Sequence, residues 1–118
     1  MAFSDEPLLI FDGACGTTLQ TMDIDPAAWN GLEGCNEYLN ISSPDTIVEL
    51  HRKFLAAGAM VVETNTFGAS SVVLSEYGLE NKVAELNRAA VANAKKAVAA
   101  FSTPDQPRYI IGSIGPTT

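Results

Sequence analysis

Three short stretches of this chain carry the side chains best suited to chemistry. Asp12-Gly13 opens the first, with Cys15, Gly16, Thr17 and Thr18 close behind. Glu63-Thr64-Asn65-Thr66 forms the second, and Gly112-Ser113 with Gly115-Pro116-Thr117 forms the third. A carboxylate can hold an ammonium group, while amides, hydroxyls and backbone groups complete the hydrogen bonds of a small polar ligand. Asp12 is the most informative of these residues, because it directly follows an apolar run and so stands at a pocket mouth. Its plainer role would be to cap the helix that follows. Glu63 and Asn65 compete for the inward position, and their order in the sequence leaves both open.

Other chemistries fit these residues less well. Gly13 and Gly16 are two glycines where a dinucleotide loop needs three, and no Lys-Ser or Lys-Thr follows to make a nucleotide P-loop. Cys15 and Cys35 have neither zinc-ribbon nor redox-pair spacing. Each reads as a small buried hydrophobe. The single histidine, His51, sits mid-helix beside Arg52 and Lys53 and reads as a surface or packing residue. No complete zinc site can be assembled from this set.

The elements that must position the three stretches follow from apolar patterning. Leu8–Phe11, Ala59–Val62 and Tyr109–Ile111 are short continuous apolar runs, the form of strands buried on both faces. A short helix is expected near 14–20, followed by an irregular connection over 21–42. Ser43-Pro44-Asp45 predicts a helix start, with the Ser43 hydroxyl capping a free N–H. Ile47, Leu50, Phe54 and Leu55 give that helix one apolar face, and Gly58 ends it. A short helix near 70–76 precedes a long one over about 79–101. Leu79, Val83, Leu86, Ala90, Ala94, Ala97 and Phe101 form its buried stripe, and Glu85, Arg88, Lys95 and Lys96 face solvent. The order β, α, β, α, β predicts parallel strands joined by helical crossovers, with all three polar stretches at one sheet edge. In such folds ligands bind at the carboxyl ends of the strands. Single strand-to-helix turns use Gly, Asp, Asn and Thr for backbone reasons alone; three together favour a ligand site.

Composition narrows the classes further. The 118 residues include 7 Lys plus Arg and 14 Asp plus Glu, a formal charge of −7, with 47% hydrophobic residues and 2 Cys. This is globular composition, and the acidic balance argues against a nucleic-acid partner. No apolar run approaches the roughly 20 residues of a membrane span. Residues 1–7 show no basic region leading into an apolar stretch, so no secretory signal is expected, and a reducing cytoplasm is the expected location.

The ordered motifs resemble the homocysteine S-methyltransferase family. Asp12–Gln20 (DGACGTTLQ), Glu63–Phe67 (ETNTF) and Gly112–Thr117 (GSIGPT) are similar to its three N-terminal motifs. Cys35–Leu39, Ser43–Asp45, Ala56–Ala59, Tyr77–Leu79 and Glu85–Ala90 resemble the homocysteine-binding module of cobalamin-dependent methionine synthases. The resemblance implies a (β/α)8 TIM barrel of which residues 1–118 supply the first three β/α units, since such barrels take roughly 250 residues. It implies transfer of a methyl group to a zinc-activated homocysteine thiolate, with methylcobalamin as donor. By the same resemblance Asp12, Gly13, Asn65, Thr66, Ser113 and Gly115 bind substrate. The zinc cysteines are expected beyond Thr118, so this segment alone should bind no metal and be inactive. Folate- and cobalamin-binding modules would be partners further along. Two alternatives stand beside this reading. One is a homocysteine methyltransferase using S-methylmethionine or betaine. The other is a stand-alone flavodoxin-like binding module, which would need about five strands where three are evident.

Overall fold

The computed structural model describes residues 8–116. Thr117 of the third polar stretch and the N-terminal residues 1–7 lie outside the described residues. The architecture is mixed α/β. Helices α1 (Cys15–Gln20), α2 (Leu39–Ser42) and α3 (Pro44–Ala56) precede strand β1 (Val61–Glu63). Helices α4 (Ser71–Leu74) and α5 (Val83–Phe101) lead to strand β2 (Tyr109–Ile111).

The two strands pair in parallel, with Val61 opposite Tyr109, Val62 opposite Ile110 and Glu63 opposite Ile111. The first expected strand is reduced to one parallel bridge, Phe11 to Val61. Hydrogen bonds from the Met60 and Val61 amides to the Ile10 carbonyl and from Asp12 N to Val61 O keep it in the strand-like place. Leu8, Ile10 and Phe11 are exposed, whereas Val61 and Val62 of β1 are fully buried.

Helix α3 begins at Pro44, as Ser43-Pro44-Asp45 predicts, but the cap differs. The Ser43 hydroxyl meets Thr46 Oγ1 at 2.6 Å instead of a backbone amide. The Ser43 carbonyl accepts the Thr46 N–H. At the other end Gly58 adopts φ +112°, a left-handed conformation that favours glycine, and the chain turns into β1. Arg108 reinforces this corner by donating from Nη1 to the Leu55 and Ala59 carbonyls.

The middle of the stripe predicted on α5 is buried, with Leu86, Ala90, Ala94 and Ala97 inaccessible to solvent. The helix begins at Val83 after a 3₁₀ turn, leaving Leu79 before it, and Val83 and Phe101 at its ends are only partly buried. Ala94 and Ala97 pack with Val48 and Leu55 of α3 and Val62 of β1, the core between helices and sheet. Small residues on α5 let the two long helices approach closely. The 21–42 segment is more ordered than its composition suggests. It holds 3₁₀ turns at Pro26–Trp29 and Asn36–Tyr38, followed by α2. Its apolar residues Ile24, Ala28, Trp29 and Leu39 pack with Leu19, Ile47 and Leu50, while Leu32, Cys35 and Tyr38 pack with Leu74, Leu79 and Leu86. Burial of scattered apolar side chains orders a segment that has no periodic pattern of its own.

Of the two roles expected for His51, surface or packing, the structure shows packing. His51 is 1% exposed on the inner face of α3, and neither ring nitrogen has a hydrogen-bond partner among the described residues. No described helix is long and apolar enough to cross a membrane.

Candidate functional site

A cleft of about 370 Å³ opens where β1 ends. Asp12, Gly13 and Cys15 line it from the first polar stretch, Asn36 and Glu37 from the 3₁₀ turn, Glu63 and Asn65 from β1 and its extension, and Ser113 from the third stretch. The parallel pairing therefore brings all three polar stretches to one edge. Of the residues expected to bind substrate, Asp12, Gly13, Asn65 and Ser113 face this cleft. Thr66 and Gly115 line a smaller neighbouring hollow of about 120 Å³. Phe67 and Ser113 border both.

Asp12 is held from one side. Its Oδ2 accepts the Glu63 amide at 3.0 Å, and its Oδ1 is buried with no partner among the described residues. Burial pushes its carboxyl up to about 6, with the nearby Glu63 charge acting in the same direction and the Glu63 N–H opposing. The residues lining the cleft include three carboxylates, Asp12, Glu37 and Glu63, and no Lys, Arg or His. That balance suits a cation.

Both rivals for the inward position line the cleft, in different ways. Glu63 is exposed, whereas Asn65 is 5% exposed and bonded on every side. Asn65 Nδ2 donates to the Asn36 carbonyl at 2.9 Å and to Asn40 Oδ1 at 3.5 Å. Its Oδ1 accepts the Cys15 thiol at 3.4 Å, and its own carbonyl accepts Asn40 Nδ2 at 2.7 Å. The Asn40 carbonyl in turn accepts Asn93 Nδ2 from α5 at 3.1 Å.

Thr66 ties the third stretch down. Its hydroxyl donates to the Ser113 carbonyl at 2.7 Å, and Thr64 Oγ1, 2.7 Å from it, accepts the Ser113 amide at 3.2 Å. Gly115 lies against Phe67 so closely that a Cβ there would overlap the Phe67 carbonyl oxygen. Only glycine allows that approach.

Asn40, Asn93 and Glu37 were not singled out by sequence. Glu37 Oε2 accepts the Gly68 amide at 3.0 Å and holds the turn after Phe67. The apolar stripe of α5 gives the one available signal for Asn93, since it places position 93 beside Ala90, Ala94 and Ala97. Asn40 and Glu37 belong to a segment without periodicity; Glu37 lies within the Cys35–Leu39 stretch that resembles the family, and nothing local marks Asn40.

The described residues do not make a metal centre. No group of three or more His, Cys, Asp or Glu among them is placed to hold an ion. Burial, reinforced by Glu37 and Asp12, pushes the Cys15 thiol up to about 12, and its Sγ is engaged with Asn65. Cys35 is buried in an apolar cluster with Leu74, Leu79 and Leu86, and burial raises its thiol as well.

The family model for homocysteine S-methyltransferases matches residues 9–118. The chain belongs to the homocysteine S-methyltransferase family. Methionine synthases of Mycobacterium leprae (strain TN) and Mycobacterium tuberculosis (strain ATCC 25618 / H37Rv) are each 40% identical to it over 111 residues. Those alignments cover 94% of this chain, and the chain spans only 9% of the length of these relatives. Two crystal structures of the homocysteine methyltransferase MmuM from Escherichia coli, in oxidized and metallated forms, superpose with a TM-score of 0.73 at 24% identity. Each covers 96% of this chain and is itself covered to 39%, so the likeness is one of fold. The family membership accounts for the order of the three polar stretches along the chain. It also agrees with the mixed α/β architecture.

Proposed function

We propose that residues 1–118 are the N-terminal part of a homocysteine-binding (β/α)8 barrel, supplying its first three β/α units. The whole enzyme would transfer a methyl group to homocysteine and so make methionine. Family membership over residues 9–118 supports this reading. The observation that carries the substrate end is Asp12, with one carboxylate oxygen fixed by Glu63 N and the other buried, without a partner among the described residues, beside a cleft lined by acids and no bases. An α-amino acid presents an ammonium group that such an oxygen can accept in a charge-assisted hydrogen bond.

In this assignment Asp12 takes the amino group of homocysteine, and the Gly13 backbone lines the cleft beside it. Thr66, Ser113 and Gly115 complete the substrate end of the site, and Asn65, expected from the motif to bind substrate, stands in the wall beside them. Zinc, when bound, would lower the pKa of the homocysteine thiol. The described residues do not fit it, so its ligands are proposed to lie beyond Thr118, and the segment by itself is proposed to be inactive. Methylcobalamin is the proposed donor, which makes the remaining barrel and folate- and cobalamin-binding modules the partners of this segment. Nucleic acid and membrane have no part in it, and the cytoplasm is its proposed location.

The test is methionine formation by the intact protein from homocysteine, with methylcobalamin, S-methylmethionine and betaine supplied in turn. Methionine from methylcobalamin is the expected result. Methionine from one of the other donors alone would keep the family reaction and replace the donor. Failure both to bind homocysteine and to methylate it would overturn the reading.

A further inference from the structure

We propose that Asn65 is a positioning residue: it fixes Cys15 and the Asn36–Glu37 backbone as walls of the cleft and governs homocysteine affinity without touching the substrate. This rests on the proposed function for its ligand, and on hydrogen bonding for its substance.

An amide side chain offers two N–H donors and one carbonyl acceptor. At Asn65 both donors are used, on Asn36 O and Asn40 Oδ1, and the carbonyl takes the Cys15 thiol. Asn65 is 5% exposed, and its reciprocal partner Asn40 is 1% exposed. Donating to a ligand would require breaking one of the two N–H bonds and leaving a buried polar group unsatisfied, which costs more than a new bond returns. The second lone pair of Oδ1 is the one position left, on a side chain barely open to the cleft. Two of the three residues its side chain joins, Cys15 and Asn36, are nevertheless cleft walls, and Glu37 follows Asn36 in the same wall. Cys15, Asn36 and Glu37 all line the cavity, and they come from segments 50 and 29 residues away from Asn65 or close to those distances. Beyond the cleft the chain of amides continues through Asn40 to Asn93 on α5, which anchors the wall to the helical core.

The experiment uses the intact protein and reads two quantities. Homocysteine affinity is measured by calorimetry, and Cys15 accessibility by the rate of alkylation with iodoacetamide, with Cys35 replaced by Ser to leave one reporting thiol in this segment. Asn65→Ala is expected to weaken homocysteine binding about tenfold, the loss of roughly one net hydrogen bond, and to speed Cys15 alkylation. Its effect on affinity is expected to shrink in a Cys15→Val background, because the two residues act as a unit. Cys15→Val should itself weaken binding, and Cys15→Ser, which restores a donor to Asn65 Oδ1, should recover most of the loss. That series needs no change at Asn65 and decides the matter even where Asn65→Ala does not fold. Equal losses from Asn65→Ala in both backgrounds, with unchanged alkylation, would show direct substrate contact and overturn the proposal. So would failure of Cys15→Ser to recover what Cys15→Val loses. A wild-type protein that does not bind homocysteine refutes the functional reading, whereas alkylation still judges the positioning role separately.

Discussion

Asp12 Oδ2 and the backbone N–H of Glu63 are joined by a hydrogen bond of 3.0 Å across 51 residues of sequence. The bond links the end of the first strand-like segment to the end of β1 and leaves Asp12 Oδ1 without a partner among the described residues. A carboxylate kept half-satisfied in a partly buried place is poised for a cation. Its position depends on backbone pairing, not on another side chain.

Replacing this carboxylate is expected to be costly for binding. Asp12→Asn keeps the shape and removes the charge, so homocysteine affinity should fall about 10- to 100-fold, the worth of a charge-assisted hydrogen bond. Calorimetry on the intact protein measures this directly. An unchanged dissociation constant would exclude Asp12 as the ammonium partner.

The same residue sets a pH dependence. Its pKa is raised from 3.8 to about 6 in the folded chain, mainly by burial. The folded state therefore holds the proton more tightly than the unfolded one, and the associated stability is present below 3.8 and lost as pH rises through about 6. Asp12→Asn should flatten the melting temperature across that window. Ammonium binding needs the ionised form, so wild-type affinity for homocysteine should decline below about pH 6, a trend that titration calorimetry at several pH values can follow.

His51 has the opposite sign. Burial lowers its pKa from 6.5 to about 4, so the unfolded chain takes up a proton that the folded chain refuses. Its contribution to stability is complete above 6.5 and lost as pH falls through about 4, a span worth about 3 kcal/mol at most. Because neither nitrogen has a hydrogen-bond partner among the described residues, His51→Leu should remove this acid sensitivity and raise the melting temperature at pH 5. Equal acid sensitivity in the variant and the wild type would show that His51 is not its source.

Gly115→Ala puts a methyl group against the Phe67 carbonyl and ring. The third polar stretch must then move away from Thr64 and Thr66. A loss of about 1–3 kcal/mol is expected from this overpacking. Weaker homocysteine binding should accompany it, since Phe67 and Ser113 border the cleft. Chemical denaturation and calorimetry report the two effects separately.

Expressed by itself, the 118-residue segment should associate or precipitate. Ile114 is 93% exposed, Leu8 69%, Phe67 61% and Ile10 51%, and they flank the strand edges where further pairing is possible. Sedimentation velocity should show oligomers that disperse when the rest of the protein is present. A monomer with a cooperative melt and tight homocysteine binding would contradict both this and the proposed partial barrel.

Sequence alone determined the long helices α3 and α5 and the meeting place of the site, but not the short helical turns within 21–42. The α3 and α5 stripes are periodic over many residues, and a helix buries its face wherever that pattern runs. Parallel alternation of strand and helix brought the three polar stretches to one edge, because each connection returns the chain to the same side of the sheet. The ordered motifs were sufficient for the family. Tertiary structure decided what each polar group does. Ser43 hydroxyl chose Thr46 over a backbone amide, His51 turned inward, and the first strand shortened to a bridge at Phe11. Asn65 committed both amide donors to Asn36 and Asn40 and took the Cys15 thiol on its carbonyl, while Asp12 Oδ1 has no partner among the described residues. Periodicity reports which face of an element is apolar. The partner of a hydrogen-bonding group is fixed by distances of about 3 Å between segments far apart in the chain, which no local pattern encodes.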